Sequence, residues 1–193
     1  MQQCVQWFLI HKHMPCSLTK GYTLDCLEGI GGVKEVFIAN WDDFAAGVTF
    51  DATTGEIDAL PTATIFRYVP FRSSASYIET PQKNIENGTL YFEQKVGWTF
   101  GKLSQDKRNE FLNLAKAKCI IFVRTYDDQI LCVGLGAGAW MTEGSVQSGQ
   151  QKADLMGYMV TFTAEELEPA NHLEAYTATP FDNFGDITVD PAY

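Results

Sequence analysis

Four side chains able to ligate a metal, Cys4, His11, His13 and Cys16, fall in one short window near the start of the sequence. Zinc sites draw on thiolate sulfur and imidazole nitrogen, in paired Cys-x-x-Cys and His-x-x-x-His types of spacing. The window follows neither pattern, and no Cys-x-x-Cys pair occurs anywhere in the chain; no metal is expected to be held. His172 is the one histidine outside that window. A Ser-His-Asp or Cys-His arrangement would need it, or a histidine of the window, packed beside a nucleophile. Its weakly patterned surroundings argue instead for an exposed tail histidine.

Gly134-Leu135-Gly136-Ala137-Gly138 has the composition of a phosphate-cradling loop. No helix pattern follows it and no Gly-Lys-Ser/Thr end closes it, so the context for phosphate is missing. Glycines in a strand-rich chain mark a turn, a bulge or a close backbone approach. The same holds for Gly29, Gly31 and Gly32, which precede a strand rather than follow one. The acidic pairs Asp42-Asp43, Asp127-Asp128 and Glu165-Glu166 offer carboxylates for general acid–base work. Adjacent acids in turns are usually solvated, and adjacency in sequence does not supply the separation in space that such chemistry requires. The chain therefore reads as non-enzymatic, with no catalytic, cofactor-binding or metal-binding residue.

The elements that would hold any site are packed ones. The chain has 193 residues, 46% hydrophobic and 13% aromatic, enough for one domain with a core. Its formal net charge is −10 and its pI about 4.6. Gripping nucleic acid requires Lys and Arg footprints on phosphates, and no basic cluster with interleaved aromatics is present. The five cysteines (Cys4, Cys16, Cys26, Cys119, Cys132) are an odd number, and the last two lie in apolar runs. That pattern suits a reducing compartment better than a disulfide framework. Val5–Ile10 is apolar but too short to span a bilayer, and it lacks a basic flank and a cleavage site. Met14 and the residues after it read as the start of a domain, with residues 1–13 an upstream extension or flexible arm.

From Val33 onward, short strand-like runs alternate with turn signals. Val33–Ala39 is rich in β-formers and is ended by Asn40-Trp41-Asp42-Asp43. Gly47–Leu60 reads as a hairpin about Asp51–Gly55. Thr62–Phe71 reads as a long strand with an edge or bulge at Pro70. Leu90–Phe100 has the clearest period of two. Phe92, Gln94, Val96, Trp98 and Phe100 fall on one face, and Tyr91, Glu93, Lys95 and Thr99 on the other. Ser76–Thr80 is its expected partner, across a tight turn at Asn87-Gly88. One helix is expected from about Gln105 to Lys118, capped by Ser104, with Phe111, Leu114 and Ala115 on its packed face. Cys119–Val123 reads as a buried strand, returning after Tyr126–Gln129 through Ile130–Val133. Further strands follow at Ala139–Ser148 and along Met156, Tyr158, Val160 and Phe162. Beyond Glu168 an arm or extended segment is expected. The fold class is mainly β: a sandwich or barrel of antiparallel strands with one packed helix.

The runs Cys16–Cys26 and Glu28–Ile38 resemble the opening of tail tube proteins from phages of Bacteroidota-type hosts. Asn87–Gln94, the helix around Lys107–Glu110, the hairpin Asp127–Gln129 and the Gly157-Tyr158 strand fit the same pattern. The resemblance covers roughly residues 15–168 and leaves out residues 1–13. It implies a β domain over 14–168, with a C-terminal arm over 169–193. It also implies a virion protein, made in the host cytoplasm, that self-assembles into stacked hexameric rings. The partners implied are further copies, other tail proteins, and DNA that passes through the channel without specific binding; no membrane is involved. A net acidic subunit can give an acidic lumen along which DNA slides. The Gly47–Leu60 hairpin and the tail after Glu168 are candidates for contacts between rings, or else ordinary surface segments. Rival readings are a tail terminator, a neck or head decoration protein, and a small-ligand-binding β-barrel or enzyme with a deep apolar pocket.

Overall fold

Val33–Asn40 forms strand β1, and its alternation sends Val36 and Ile38 to one face and Phe37 and Ala39 to the other, all four buried. Cys119–Thr125, strand β7, is likewise buried on both faces along nearly its whole length. Strands apolar on both sides belong inside a sheet that is covered twice. A computed structural model, which describes residues 20–23, 29–44, 47–71, 74–185 and 187–191, shows that arrangement. Residues 1–13, with Cys4, His11 and His13, lie outside the described residues, as do Cys16 and Cys26.

After β1 come a one-turn helix α1 (Trp41–Phe44), the short hairpin strands β2 (Thr49–Phe50) and β3 (Ile57–Ala59), and β4 (Ala63–Tyr68). Then follow β5 (Ser76–Asn84), β6 (Thr89–Gly101), helix α2 (Gln105–Lys116), β7, β8 (Ile130–Val133) and β9 (Trp140–Gln147). The chain closes with β10 (Gly157–Glu166), β11 (Asn171–His172) and β12 (Ile187–Asp190). Six strands form one sheet in the order β11-β8-β7-β1-β4-β12, and four form a second in the order β5-β6-β10-β9. The fold is mainly β and its pairs are antiparallel, apart from β12, which runs parallel to β4. Pro70 lies just beyond β4, so the long strand expected over Thr62–Phe71 is shorter and β4 is an interior strand.

The two sheets pack face to face. Val36 and Ile38 of β1 and Ile121 and Val123 of β7 meet Val96 and Trp98 of β6 and Val160 and Phe162 of β10. Trp98 stacks on Phe162 with ring centroids 5.3 Å apart, and Phe100 on Tyr158 at 4.9 Å. Helix α2 adds Leu114 to this core and lays Phe111 against Tyr158. Ser104 caps it, accepting from Lys107 N. Ala115, expected on the packed face, is exposed. The inward positions are instead Glu110, which accepts a 2.8 Å bond from the Tyr68 hydroxyl, together with Phe111 and Leu114. Phe111 fits only because residue 144 is glycine; a Cβ there would come within 2.8 Å of its ring.

The other face of the six-stranded sheet carries a second core of Phe37, Ile65, Ile120, Phe122, Ile130 and Cys132. Its cover corrects the expectation for the C-terminal part. The described residues after Glu168 do not extend away as an arm. β11 pairs with β8, β12 pairs with β4, and Phe181 and Phe184 are buried between them. Phe181 stands edge-on to Phe37 and Phe122, at 5.1 and 5.3 Å. The weak periodicity that suggested a tail reflects a layer made of turns, in which isolated aromatics rather than a repeating face are buried. Phe44 of α1 and Ile57 and Leu60 of the β2–β3 hairpin complete the cover.

At one end of this core lies a charge cluster. Glu35 is 5% exposed and held between Arg67 Nε at 2.8 Å and Arg124 Nη1 at 2.6 Å. Arg124 also donates to Asp128, which takes a further bond from Lys34. A buried carboxylate is tolerable only when paired in this way. The covering layer is pinned by Asp182, whose carboxylate accepts from the Thr177 hydroxyl and from the amides of Thr177, Ala178 and Thr179. These bonds, the Thr177 hydroxyl foremost, hold its pKa well below the usual carboxylate range.

Two outcomes are expected. Phe181→Ala removes the centre of the second core and costs about 3–5 kcal/mol in urea unfolding. A depressed carboxylate stabilises the fold above its unfolded pKa, and that stabilisation is lost as pH falls through the folded one. Stability should therefore drop below about pH 4, and Asp182→Asn should flatten that drop in acid titrations followed by circular dichroism.

Candidate assembly surface

The four-stranded sheet has one face in the core and one in solvent. β6 is thirteen residues long and sends Gln94, Val96 and Trp98 inward, as its alternation predicts. Outward rows cross the sheet in register. Thr80, Glu93 and Glu165 form one row; Ile78, Lys95, Thr163 and Trp140 the next; Ser76, Gly97, Thr161 and Glu143 the third. The face is thus threonine-rich and net acidic, with Glu93, Glu143 and Glu165 against Lys95. Lys95 bonds Glu93 at 2.8 Å, a pairing that lowers the carboxyl pKa and raises that of the ammonium. Thr99, expected on this face, is buried, and the chain entering β5 runs beside it with Phe71 N bonded to its carbonyl.

Both edges of this sheet, β5 and β9, lack a second neighbouring strand among the described residues. Open edges invite pairing with another chain. Each carries an irregularity: Pro81 within β5, which has no N–H to offer, and a bulge in β9 at Thr142, opposite Thr161/Phe162. Two large apolar side chains flank the edges on the solvent face, Ile78 at 59% and Trp140 at 50% exposure.

The Gly134–Gly138 loop closes one end of the sandwich. Gln94, almost fully buried in an otherwise apolar stripe, accepts from Gly134 N at 3.2 Å and donates to Glu168 O at 3.5 Å. Glu166 accepts from Gly136 N and Ala137 N at 3.1 and 2.8 Å. Burial pushes its pKa up, against the opposing pull of those amides. The loop is thus a cradle for an anion, and its occupant is a carboxylate of the same chain. Gly134, with φ +75°, has Ala139 N 2.7 Å from where a Cβ would stand, so of the turn, bulge or close approach expected of these glycines it makes a close approach. Trp41 Nε1 donates to Leu135 O, and Lys118 lies over the Trp41 ring.

The other candidate residues are dispersed. His172 is exposed on β11, beside a cleft of about 220 Å³ that also takes in Asp128 and Tyr176. Cys132 is buried, and burial raises its pKa; the same effect pushes the Cys119 thiol up to about 11. Asp43 accepts from Asn40, Asp127 from Ile30 N, and Asp128 from Lys34 and Arg124. These three acids and Glu166 thus serve as hydrogen-bond acceptors within the fold, and no group of three metal-ligating side chains gathers among the described residues. No described helix is long and apolar enough to cross a membrane. In comparison with known proteins, no family model and no curated protein matches the chain.

Sequence reasoning missed the roles of Gln94 and Glu166. The available signal was a lone amide in an apolar stripe and a glycine loop without its own anion. Gln94→Leu keeps the volume but strands Gly134 N and Glu168 O; it should cost about 1–3 kcal/mol in urea unfolding, with the change confined to stability.

Proposed function

We propose that this chain is the structural subunit of a phage tail tube, assembling with further copies into rings that stack around a channel for DNA. The observation that carries the reading is the four-stranded antiparallel sheet. One face is committed to the core, the other is polar and acidic, and neither edge has a further strand among the described residues. Pairing β5 of one copy with β9 of the next would satisfy both rows of edge backbone groups. Repeated around an axis, this heterologous contact closes a ring. Six copies, the number the resemblance implies, would give a continuous β-lined wall.

In that arrangement Glu93, Glu143 and Glu165 face the lumen. Phosphates meeting like charge are repelled from the wall, and threonine side chains provide no cationic hold, so DNA can pass without binding. The six-stranded sheet, its covering layer and α2 then form the outside of the ring, where other tail proteins meet it. The resemblance in Cys16–Cys26, Glu28–Ile38 and Asn87–Gln94 supports the same reading.

The test is electron microscopy of the purified protein across a concentration series. Hollow rings or tubes with a central channel are the expected outcome. A protein that stays monomeric at high concentration contradicts the proposal, and rings that never stack point to a tail terminator instead.

A further inference from the structure

β6 runs on past its neighbour. Its last partner in β10 is Glu166, opposite Phe92, whereas its pairing with β5 continues through Gln82–Tyr91 and Lys83–Leu90 to Asn84–Thr89. The β5–β6 hairpin therefore projects from the sandwich as a two-stranded arm. Its tip is set by Gly88 at φ +65° and by Asn87 N bonded to the Asn84 side chain at 3.1 Å. The arm shows solvent Ile85 at 82% and Leu90 at 48% exposure, with Glu86 at the tip. A two-stranded ribbon with apolar side chains exposed is marginal by itself, and such patches mark contact surfaces.

At the opposite end of β6 lies an open groove of about 660 Å³. Val69, Phe71 and Met156 line it, exposed at 60%, 46% and 45%. Lys102 and Lys107 rim it; Asp154, the one acid among the described residues lining it, turns its carboxylate to the amides of Gln150 and Gln151. The groove is a basic and apolar spot on a chain of net charge −10. The arm tip carries Glu86 beside the apolar Ile85 and Leu90, with Lys83 lower on the arm. Arm and groove lie at the two ends of a single thirteen-residue strand, about 40 Å apart at roughly 3.3 Å per residue.

We infer that the arm of one copy seats in the groove of the next, Ile85 and Leu90 against Val69, Phe71 and Met156, and Glu86 toward Lys102. Complementary patches at opposite poles make a head-to-tail contact that repeats without closing. It deepens the tube-subunit reading and rests on it: edge pairing forms the ring, and the arm joins one ring to another. The occupant is a second copy because one chain carries both halves of the contact at the two poles of the sheet that would line the channel.

The test places a photo-crosslinking benzoylphenylalanine at Ile85 in assemblies mixed from isotope-labelled and unlabelled protein, with crosslinked peptides mapped by mass spectrometry. Mixed-isotope crosslinks to residues 69–71, 101–107 or 153–156 are expected. In parallel, Lys102→Glu should shorten tubes at least tenfold while rings persist, and adding Glu86→Lys should restore their length. Wild-type tubes whose crosslinks fall elsewhere, or whose length is indifferent to Lys102→Glu, overturn this contact alone. A wild type that forms neither rings nor tubes overturns it together with the tube-subunit reading.

Discussion

The central strands β1 and β7 place apolar side chains on both of their faces, and the rest of the structure answers that requirement. Ile121 and Val123 point into one core while Ile120 and Phe122 point into the other. A sheet built on such strands cannot leave either face to water, because each uncovered large side chain forfeits about 1.5–3 kcal/mol of burial. One face is covered by the four-stranded sheet and α2. The other is covered by α1, the β2–β3 hairpin and the C-terminal residues. The four-stranded sheet, whose outer face has no such demand, is the part left open to solvent.

That division explains what was legible in the sequence. Strong period-two runs such as Leu90–Phe100 and the continuous run Cys119–Val123 identified β6 and β7, because burial imposes those patterns directly. Ser104 and the spacing of Phe111 and Leu114 located α2. The covering layer was illegible for a physical reason. Phe181 and Phe184 are buried from a turn, Leu173 from a two-residue strand's end, and β12 is held by parallel pairing with β4, none of which leaves a periodic trace. Ala115 misled because a small residue at helical spacing looks apolar whichever way it faces.

The surface proposed for assembly was half visible. Glu93 and Lys95 were placed together on the polar face by alternation alone. That Glu143 and Glu165 join them depends on the register of β9 and β10, which strand periodicity does not encode. The glycine loop shows the converse. Its composition suggested an anion cradle and its context argued against phosphate. Both are satisfied once the anion is Glu166. Gln94 and Glu166 thereby tie the end of the proposed channel-lining sheet to the glycine loop that leaves β8.

The central claim is that β5 and β9 are edges waiting for each other in a neighbouring copy. Hydrogen exchange followed by mass spectrometry, comparing dilute protein with concentrated assembly, tests it most directly. The account predicts that amides of Ser76–Asn84 and Trp140–Gln147 gain protection on assembly while those of α2 are unchanged. Unaltered exchange along both edges in an assembled sample would contradict it.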